Sequence, residues 1–175
     1  MKPLWQGLLI AVVHLALVSS LGAKLLHDRA SRPRVWTQTV PFDPNLPLRG
    51  RYVRLQLVVE PRGITDDPEQ KNQPYHPVIV LAEEGRLVAT ALPDTRHGAV
   101  AADQRLRFIQ RQDTRLAVLN APVAFFISEH VPDPSRTKVG EELWAEVTIP
   151  AKGPPRPIRL GLKKGDGPIV PLSLR

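Results

Sequence analysis

The amino end of the chain carries the feature that most constrains its fold, an uncharged run over residues 3–23 that lies between Lys2 and Lys24. A helix over residues 4–23 is about 30 Å long at ~1.5 Å per residue, which matches the hydrocarbon core of a bilayer. The run therefore predicts a membrane anchor over residues 1–26, with the rest of the chain held in water at a membrane surface.

A cleaved signal peptide is the alternative interpretation of this run. Residues 8–18 would serve as its shorter apolar core, and residues 20–22 or 21–23 would supply the residues before the cut. The full apolar length and its continuation through Leu25 and Leu26 favour an uncleaved anchor.

The orientation of the anchor is left open by its flanking charges. Lysine and arginine are more frequent after the run than before it, and the positive-inside tendency then places the following domain in the cytoplasm. The tail before the run is too short for that count to decide the orientation.

One face of the predicted helix is made of small residues and a histidine. Gly7, Ala11, His14, Val18 and Gly22 are spaced by four, three, four and four residues. At ~100° per residue they fall within a stripe of about 80°. Small residues allow close helix approach in lipid, and a buried imidazole needs a hydrogen-bond partner, so the stripe predicts packing on another transmembrane helix. The alternative is that glycine, alanine and a neutral histidine are tolerated in a span without a partner.

The remainder of the chain is typical of a β domain. A polar stretch over residues 27–34 is predicted as a juxtamembrane linker, and residues 35–175 as the soluble domain. Nineteen prolines against eleven glycines favour turns and edge strands over long helices. Alternating apolar and polar residues predict strands within or near residues 35–40, 51–59, 77–82, 86–91, 104–111, 115–119, 122–127, 143–149, 158–162 and 169–174. The predicted fold class is all-β, a single sandwich- or barrel-like domain of about eight to ten short strands preceded by one N-terminal transmembrane helix.

Composition excludes several classes of function. The chain has no cysteine, which excludes disulfides, thiolate metal sites and cysteine nucleophiles. Its net charge is +7, but the basic residues are interspersed with apolar ones and form no concentrated face, so no nucleic-acid partner is expected. Gly-rich phosphate loops and dinucleotide fingerprints are absent, and no cofactor is expected. His76, His97 and His130 are too widely spaced for a compact metal motif, so no metal site is expected.

No catalytic residue is predicted. A Gly-x-Ser-x-Gly elbow is absent, and Ser128 is the serine beside a clearly apolar strand. Its neighbours Glu129 and His130 would point to alternate faces of a strand, which argues against a converging trio. A membrane-anchored hydrolase with a serine–lysine or carboxylate site remains the alternative function.

Two short segments carry a resemblance to a known family. Residues 40–44, Val-Pro-Phe-Asp-Pro, precede a Gly-Arg-Tyr-Val-Arg-Leu segment at residues 50–55. These segments resemble the GDYXXLXY family of bacterial membrane-anchored proteins. The matching motif positions are Gly50, Tyr52 and Leu55. Arg51 stands where the family motif has aspartate, and Leu57 stands where it has the final tyrosine.

A later segment extends the resemblance. Residues 124–129, Ala-Phe-Phe-Ile-Ser-Glu, look like the family's aromatic-aromatic-apolar-Pro-Glu element, with Ser128 replacing the proline. The resemblance implies an envelope protein of the bacterial inner membrane, with its domain outside the cytoplasm and often linked to a multipass membrane protein. It carries over no catalytic residue.

The motif also has a direct physical interpretation. Gly50 allows a positive φ or a close approach where the chain enters a strand, and Leu55 belongs to the buried face. Tyr52 lies on the opposite face, where its ring can stack on a neighbouring strand. Besides these structural roles, Arg51 and Arg54 beside Tyr52 would form a recognition surface for acidic residues of a partner. Phe125 is a further candidate for an exposed partner-binding side chain.

The sequence as a whole predicts a non-catalytic, membrane-anchored envelope protein. Its β domain and its anchor helix would bind another membrane or envelope protein. A further reading is binding of anionic lipid or glycan through arginine-lined faces, with Arg29, Arg32 and Arg34 closest to the anchor.

Overall fold

The computed structural model of the chain describes residues 3–42, 52–64, 75–92, 104–111, 114–150 and 153–174. The chain forms two compact units, Met1–Arg32 and Pro33–Arg175. The motif positions Gly50 and Arg51 lie outside the described residues, as does His97.

The first unit is a single helix, α1, from Pro3 to Ser31. Its segment Trp5–His27, 23 residues long, has the length and apolar composition needed to cross a membrane, and it is the one such segment among the described residues. A signal sequence at the amino end passes the same test.

The helix continues through most of the segment predicted as a linker. The hydroxyl of Ser31 donates to the carbonyl of His27 at 2.8 Å, a bond within the last helical turn. Pro33 then ends the helix, because the residue before a proline is driven out of the α region. The first strand begins at Arg34, so the predicted linker over residues 27–34 is reduced to Arg32 and Pro33.

The second unit contains only strands and their connections in the residues that are described. The strands are β1 Arg34–Pro41, β2 Tyr52–Leu57, β3 Glu60–Arg62, β4 His76–Glu83, β5 Arg86–Ala91, β6 Gln104–Arg111, β7 Thr114–Leu119, β8 Val123–Phe126, β9 Glu141–Thr148, β10 Arg156–Lys164 and β11 Val170–Pro171. The prediction of an all-β domain after one N-terminal apolar helix is confirmed.

The strands form two sheets. One has six strands in the order β11-β10-β9-β1-β2-β8, and the other has five in the order β3-β5-β4-β6-β7, counted over the described part of the chain. Neighbouring strands are antiparallel except β3 and β5, which are parallel. Short antiparallel strands of this kind need only the tight turns that the prolines and glycines provide.

A single hydrophobic core is shared by both sheets. Its buried side chains include Val35, Val53, Leu55, Leu57, Val78, Leu87, Leu106, Leu119, Leu143, Val147 and Leu160. Just after β2, Val58 forms a β-bridge with Val118 of β7, and the Val59 amide donates to the Ala117 carbonyl at 2.9 Å. The chain thus passes directly from one sheet to the other, which makes the unit a two-sheet sandwich.

Alternation in β2 predicts that Gln56 is exposed, but the chain crosses to the other sheet just after this residue and buries it. Gln56 alternates with core leucines, yet it is only 2% exposed. Its Nε2 donates to the carbonyls of Leu119 and Asn120, each at 3.3 Å, and its Oε1 accepts from Arg107 Nη2 at 3.0 Å. The buried amide is therefore hydrogen-bonded on both of its ends, as burial of a polar side chain requires.

The six-stranded sheet has two distinct ends. At the end where the domain begins, Arg34 of β1 and Arg156 of β10 both pair with Thr148 of β9, and we call this the helix-linked end. At the opposite end, called the far end, Tyr52 pairs with Phe126.

Candidate interaction surface

The outer face of β2 and β8 at the far end presents aromatic side chains around one arginine. In β2 the core residues Val53 and Leu55 alternate with Tyr52 and Arg54, which therefore point away from the core. In β8 Phe126 pairs with Tyr52 on the same outer face.

Phe42 joins this face because the chain stays paired just beyond β1. Its amide donates to the carbonyl of Arg54 at 3.0 Å, which sets it beside β2. The Arg54 guanidinium lies over the Phe42 ring, 4.9 Å from its centre. We call the set Phe42, Tyr52, Arg54 and Phe126 the β2–β8 patch.

The patch combines apolar area with one cation, the Arg54 guanidinium. The rings of Tyr52 and Phe126 are tilted by 60° with their centres 6.0 Å apart, a favourable edge-on arrangement for two aromatic rings. Phe126 is 76% exposed and Tyr52 36% exposed, so both rings are partly open to solvent. The cation–π contact of Arg54 with the Phe42 ring contributes about 0.5–1 kcal/mol at a solvent-exposed site and favours this position of the guanidinium.

The motif residues that are described occupy the predicted faces. Leu55 is fully buried in the core, and Tyr52 stacks on a neighbouring strand from the opposite face. Arg54 lies beside Tyr52 on that same outer face.

The exposed aromatic residue of β8 is Phe126, not Phe125. Phe125 is only partly exposed and packs against the core, opposite Val53 of β2. The strand alternation explains this difference: Val123 and Phe125 face inward, and Ala124 and Phe126 face outward. The alternation was readable in the sequence, since Val123 and Phe125 are the apolar pair at a period of two.

The predicted packing face of α1 lies on a regular helix. Its residues Gly7, Ala11, His14, Val18 and Gly22 are all helical. The His14 Nδ1 lies 2.9 Å from the carbonyl of Ile10, so that nitrogen donates within the helix and the other is left for a partner. A Cβ added to Gly7 or Gly22 would meet nothing within 4 Å.

The outer face of β9 and β10 is held by contacts among its own side chains. Glu146 is 8% exposed and accepts from Arg159 Nε at 2.6 Å, and this hydrogen bond raises the pKa of Arg159. Trp144 Nε1 donates to Glu142 at 3.0 Å, and Lys163 Nζ lies 5.2 Å from the centre of the Trp144 ring. Each of these polar groups has a partner within the sheet, so this face supports the fold.

The serine considered for catalysis has a structural hydrogen bond. Ser128 follows β8 and is exposed, and its hydroxyl donates to the main-chain carbonyl of Leu174 at 3.3 Å. The bond ties the segment after β8 to the segment after β11.

The two described histidines of the domain lie in different surroundings. His76 of β4 contacts the edge of the Phe108 ring, with ring centres 6.1 Å apart, while His130 is exposed in a turn. Within the described residues, histidine, aspartate and glutamate form no group of three or more that is suited to holding a metal ion.

Fold and surface together define a chain with one apolar N-terminal helix followed by a two-sheet β domain that displays an aromatic–arginine patch. Comparison with family models, with curated proteins and with solved structures finds no match to this chain.

Proposed function

We propose that the chain is a membrane-anchored adaptor whose β domain binds another membrane or envelope protein through the β2–β8 patch. The observation that supports this proposal is the solvent-exposed cluster of Phe126 and Tyr52 with Arg54 beside them. Clustered aromatic residues with an arginine are the side chains most often found at the energetic centre of protein interfaces.

The chemistry of the patch indicates the kind of partner surface. Phe126 and Tyr52 offer apolar area, and Arg54 offers a cation that is held over the Phe42 ring. A partner with an apolar side chain beside a carboxylate would complement both features, and burial at the interface would strengthen the charge pairing.

The anchor defines the cellular setting of the proposal. The apolar segment Trp5–His27 would hold the protein in the membrane by a single pass. From the resemblance of residues 40–55 to the GDYXXLXY family we propose that this membrane is the inner membrane of a bacterium. The same resemblance supports the proposal that the domain is extracytoplasmic and that its partner is a multipass membrane protein or another envelope protein.

Site-specific photocrosslinking tests the partner surface. A photoreactive phenylalanine analogue in place of Phe126 is expected to crosslink one membrane or envelope protein in intact cells. The same analogue in place of Val139, a fully exposed residue in the turn before β9, is the matched control and is expected to give no such product.

Substitutions within the patch give the second arm of the test. Arg54→Glu reverses the charge, and Tyr52→Ser removes a ring. Each is expected to weaken binding on the order of 30-fold, as for side chains at the centre of an interface. Because both side chains lie on the outer face, thermal unfolding should change little. Equal crosslinking from positions 126 and 139, or unaltered binding by both variants, would refute the proposal.

A further inference from the structure

The domain follows the helix after a very short connection. Arg32 and Pro33 are the residues between α1 and β1, and they span about 7 Å when fully extended. The helix from His27 to Ser31 adds about 6 Å beyond the apolar segment at ~1.5 Å per residue. Polar head groups occupy roughly 5–7 Å on each side of a bilayer. Arg34 therefore lies within side-chain reach of the head groups whenever Trp5–His27 crosses a membrane.

Two arginines stand side by side at this helix-linked end. Arg34 and Arg156 each pair with Thr148, one from either side, and both are exposed. Val35 and Val147 are buried in the core, so Arg34 and Thr148 point to the outer face of the sheet. Adjacent strands are about 4.8 Å apart, which puts the backbones of the two arginines roughly 10 Å from each other.

Acidic residues are segregated toward the other end of the same sheet. Among the described residues of β9, β10 and the turn after β10, the carboxylates of Glu141, Glu142 and Asp166 lie at the far end, where Lys163 and Lys164 accompany them. Glu146 is the carboxylate nearest the helix-linked end in this part of the structure, and Arg159 pairs with it. In the described parts of β1, β9 and β10, the charges at the far end are therefore of both signs, whereas the two at the helix-linked end, Arg34 and Arg156, are both positive.

We propose that Arg34 and Arg156 bind the phosphate groups of anionic phospholipids and so dock the helix-linked end of the β domain on the bilayer. Guanidinium groups bind phosphate oxygens in a two-pronged geometry that suits this role. Docking in this way turns the far end, with the β2–β8 patch, toward a partner. The inference rests on the membrane anchor of the proposed function but not on the patch.

The absence of cysteine from the chain allows a direct measurement of docking. Pro154 is exposed in the connection between β9 and β10, close to Arg156, and Val139 is exposed in the turn that leads into β9 at the far end. The full chain with Pro154→Cys or Val139→Cys, labelled with one fluorophore, is placed in nanodiscs that contain a head-group quencher. We expect quenching at position 154 when phosphatidylglycerol is present and much less in phosphatidylcholine alone. The fluorophore at position 139 should be quenched with neither lipid.

Two double variants of equal charge separate a local site from a general charge effect. Arg34→Gln with Arg156→Gln removes two positive charges at the helix-linked end. Arg136→Gln with Lys164→Gln removes two from exposed residues at the far end. Each basic residue near an anionic surface contributes about fivefold to binding, so the first variant should lower the ratio of docked to undocked domain on the order of 30-fold. The second variant should keep the wild-type ratio.

Three results would overturn the inference. They are equal quenching in both lipids, equal losses in the two double variants, and quenching that persists in 1 M salt, where the Debye length is about 3 Å. Flotation of the full chain with phosphatidylcholine vesicles checks the anchor separately. A chain that floats but shows no dependence on lipid charge contradicts the head-group site alone, and a chain that does not float contradicts the proposed anchor as well.

Discussion

Gly161 in β10 lies where three neighbouring groups converge. A Cβ at this position would stand 2.7 Å from Ile169 Cγ2, 3.0 Å from Trp36 Cζ3 and 3.1 Å from the carbonyl oxygen of Val170. The Trp36 ring therefore reaches across β9 toward β10, and only a residue without a side chain leaves room for it. Gly161 is buried and pairs with Trp144, so the position has little freedom to shift.

We expect Gly161→Ala to destabilise the domain by about 1–3 kcal/mol, because overpacking forces neighbouring side chains and backbone apart. For a chain of this size that lowers the melting temperature by roughly 2–4 °C per kcal/mol, measurable by tryptophan fluorescence of the full chain in detergent micelles. In an Ile169→Ala background the closest contact is gone, and the cost should shrink. An equal cost in both backgrounds would contradict this packing.

For the side chains of the β2–β8 patch, strand alternation in the sequence predicts some positions and not others. Alternation in β2 correctly predicted that Leu55 is buried and Tyr52 lies on the opposite face. The same rule applied to β8 would have selected Phe126 over Phe125. The Arg54–Phe42 contact was not predictable, because it depends on pairing between β2 and the residue after β1.

The β4–β5 hairpin is a local element whose turn sets its geometry. Glu84 and Gly85 connect the strands with φ values of 49° and 76°. Positive φ at both central residues is the pattern of a type I′ turn, which matches the twist of the two strands. Gly85 adopts this conformation at little cost, whereas Glu84 is held in a region that disfavours its Cβ.

Substitutions at these two positions should have opposite signs. Glu84→Asn is expected to stabilise the domain by about 0.5–1 kcal/mol, because asparagine tolerates positive φ better. Gly85→Ala is expected to destabilise it by about 1–2 kcal/mol. Urea unfolding of the two variants measures both changes. A loss of stability with Glu84→Asn, or none with Gly85→Ala, would show that the turn does not constrain the hairpin.

Elements that depend on local pattern were predicted well, and those that depend on tertiary pairing were not. The Glu-Glu-Gly hairpin and the strand over residues 104–111 match the structure closely. The three residues of β3, Glu-Pro-Arg, show no strand periodicity and are a strand because they pair with β5. Pro61 is tolerated there because β3 is an edge strand. The helix α1 continues past the apolar run to Ser31, because polar residues continue a helix as readily as they form a linker.

At the scale of the whole molecule, the orientation of the anchor decides which compartment the domain occupies. The lysine and arginine bias around the apolar segment favours a cytoplasmic domain by the positive-inside tendency, whereas the family resemblance favours an extracytoplasmic one. We propose the extracytoplasmic orientation on the basis of that resemblance. In that orientation the β2–β8 patch would meet envelope proteins.

Single cysteines in this cysteine-free chain test the orientation and the cleavage of the helix together. In bacterial spheroplasts, full-length protein with Val139→Cys should react with a membrane-impermeant maleimide, because residue 139 is fully exposed in the domain. The matched variant Pro3→Cys, at the other end of the apolar segment, should react only after lysis. Labelling of position 139 only after lysis would establish the cytoplasmic orientation instead. If the Val139→Cys variant gives a labelled product that is shorter than the full chain, and the Pro3→Cys variant gives a product of the same shorter length without label, the helix is a cleaved signal.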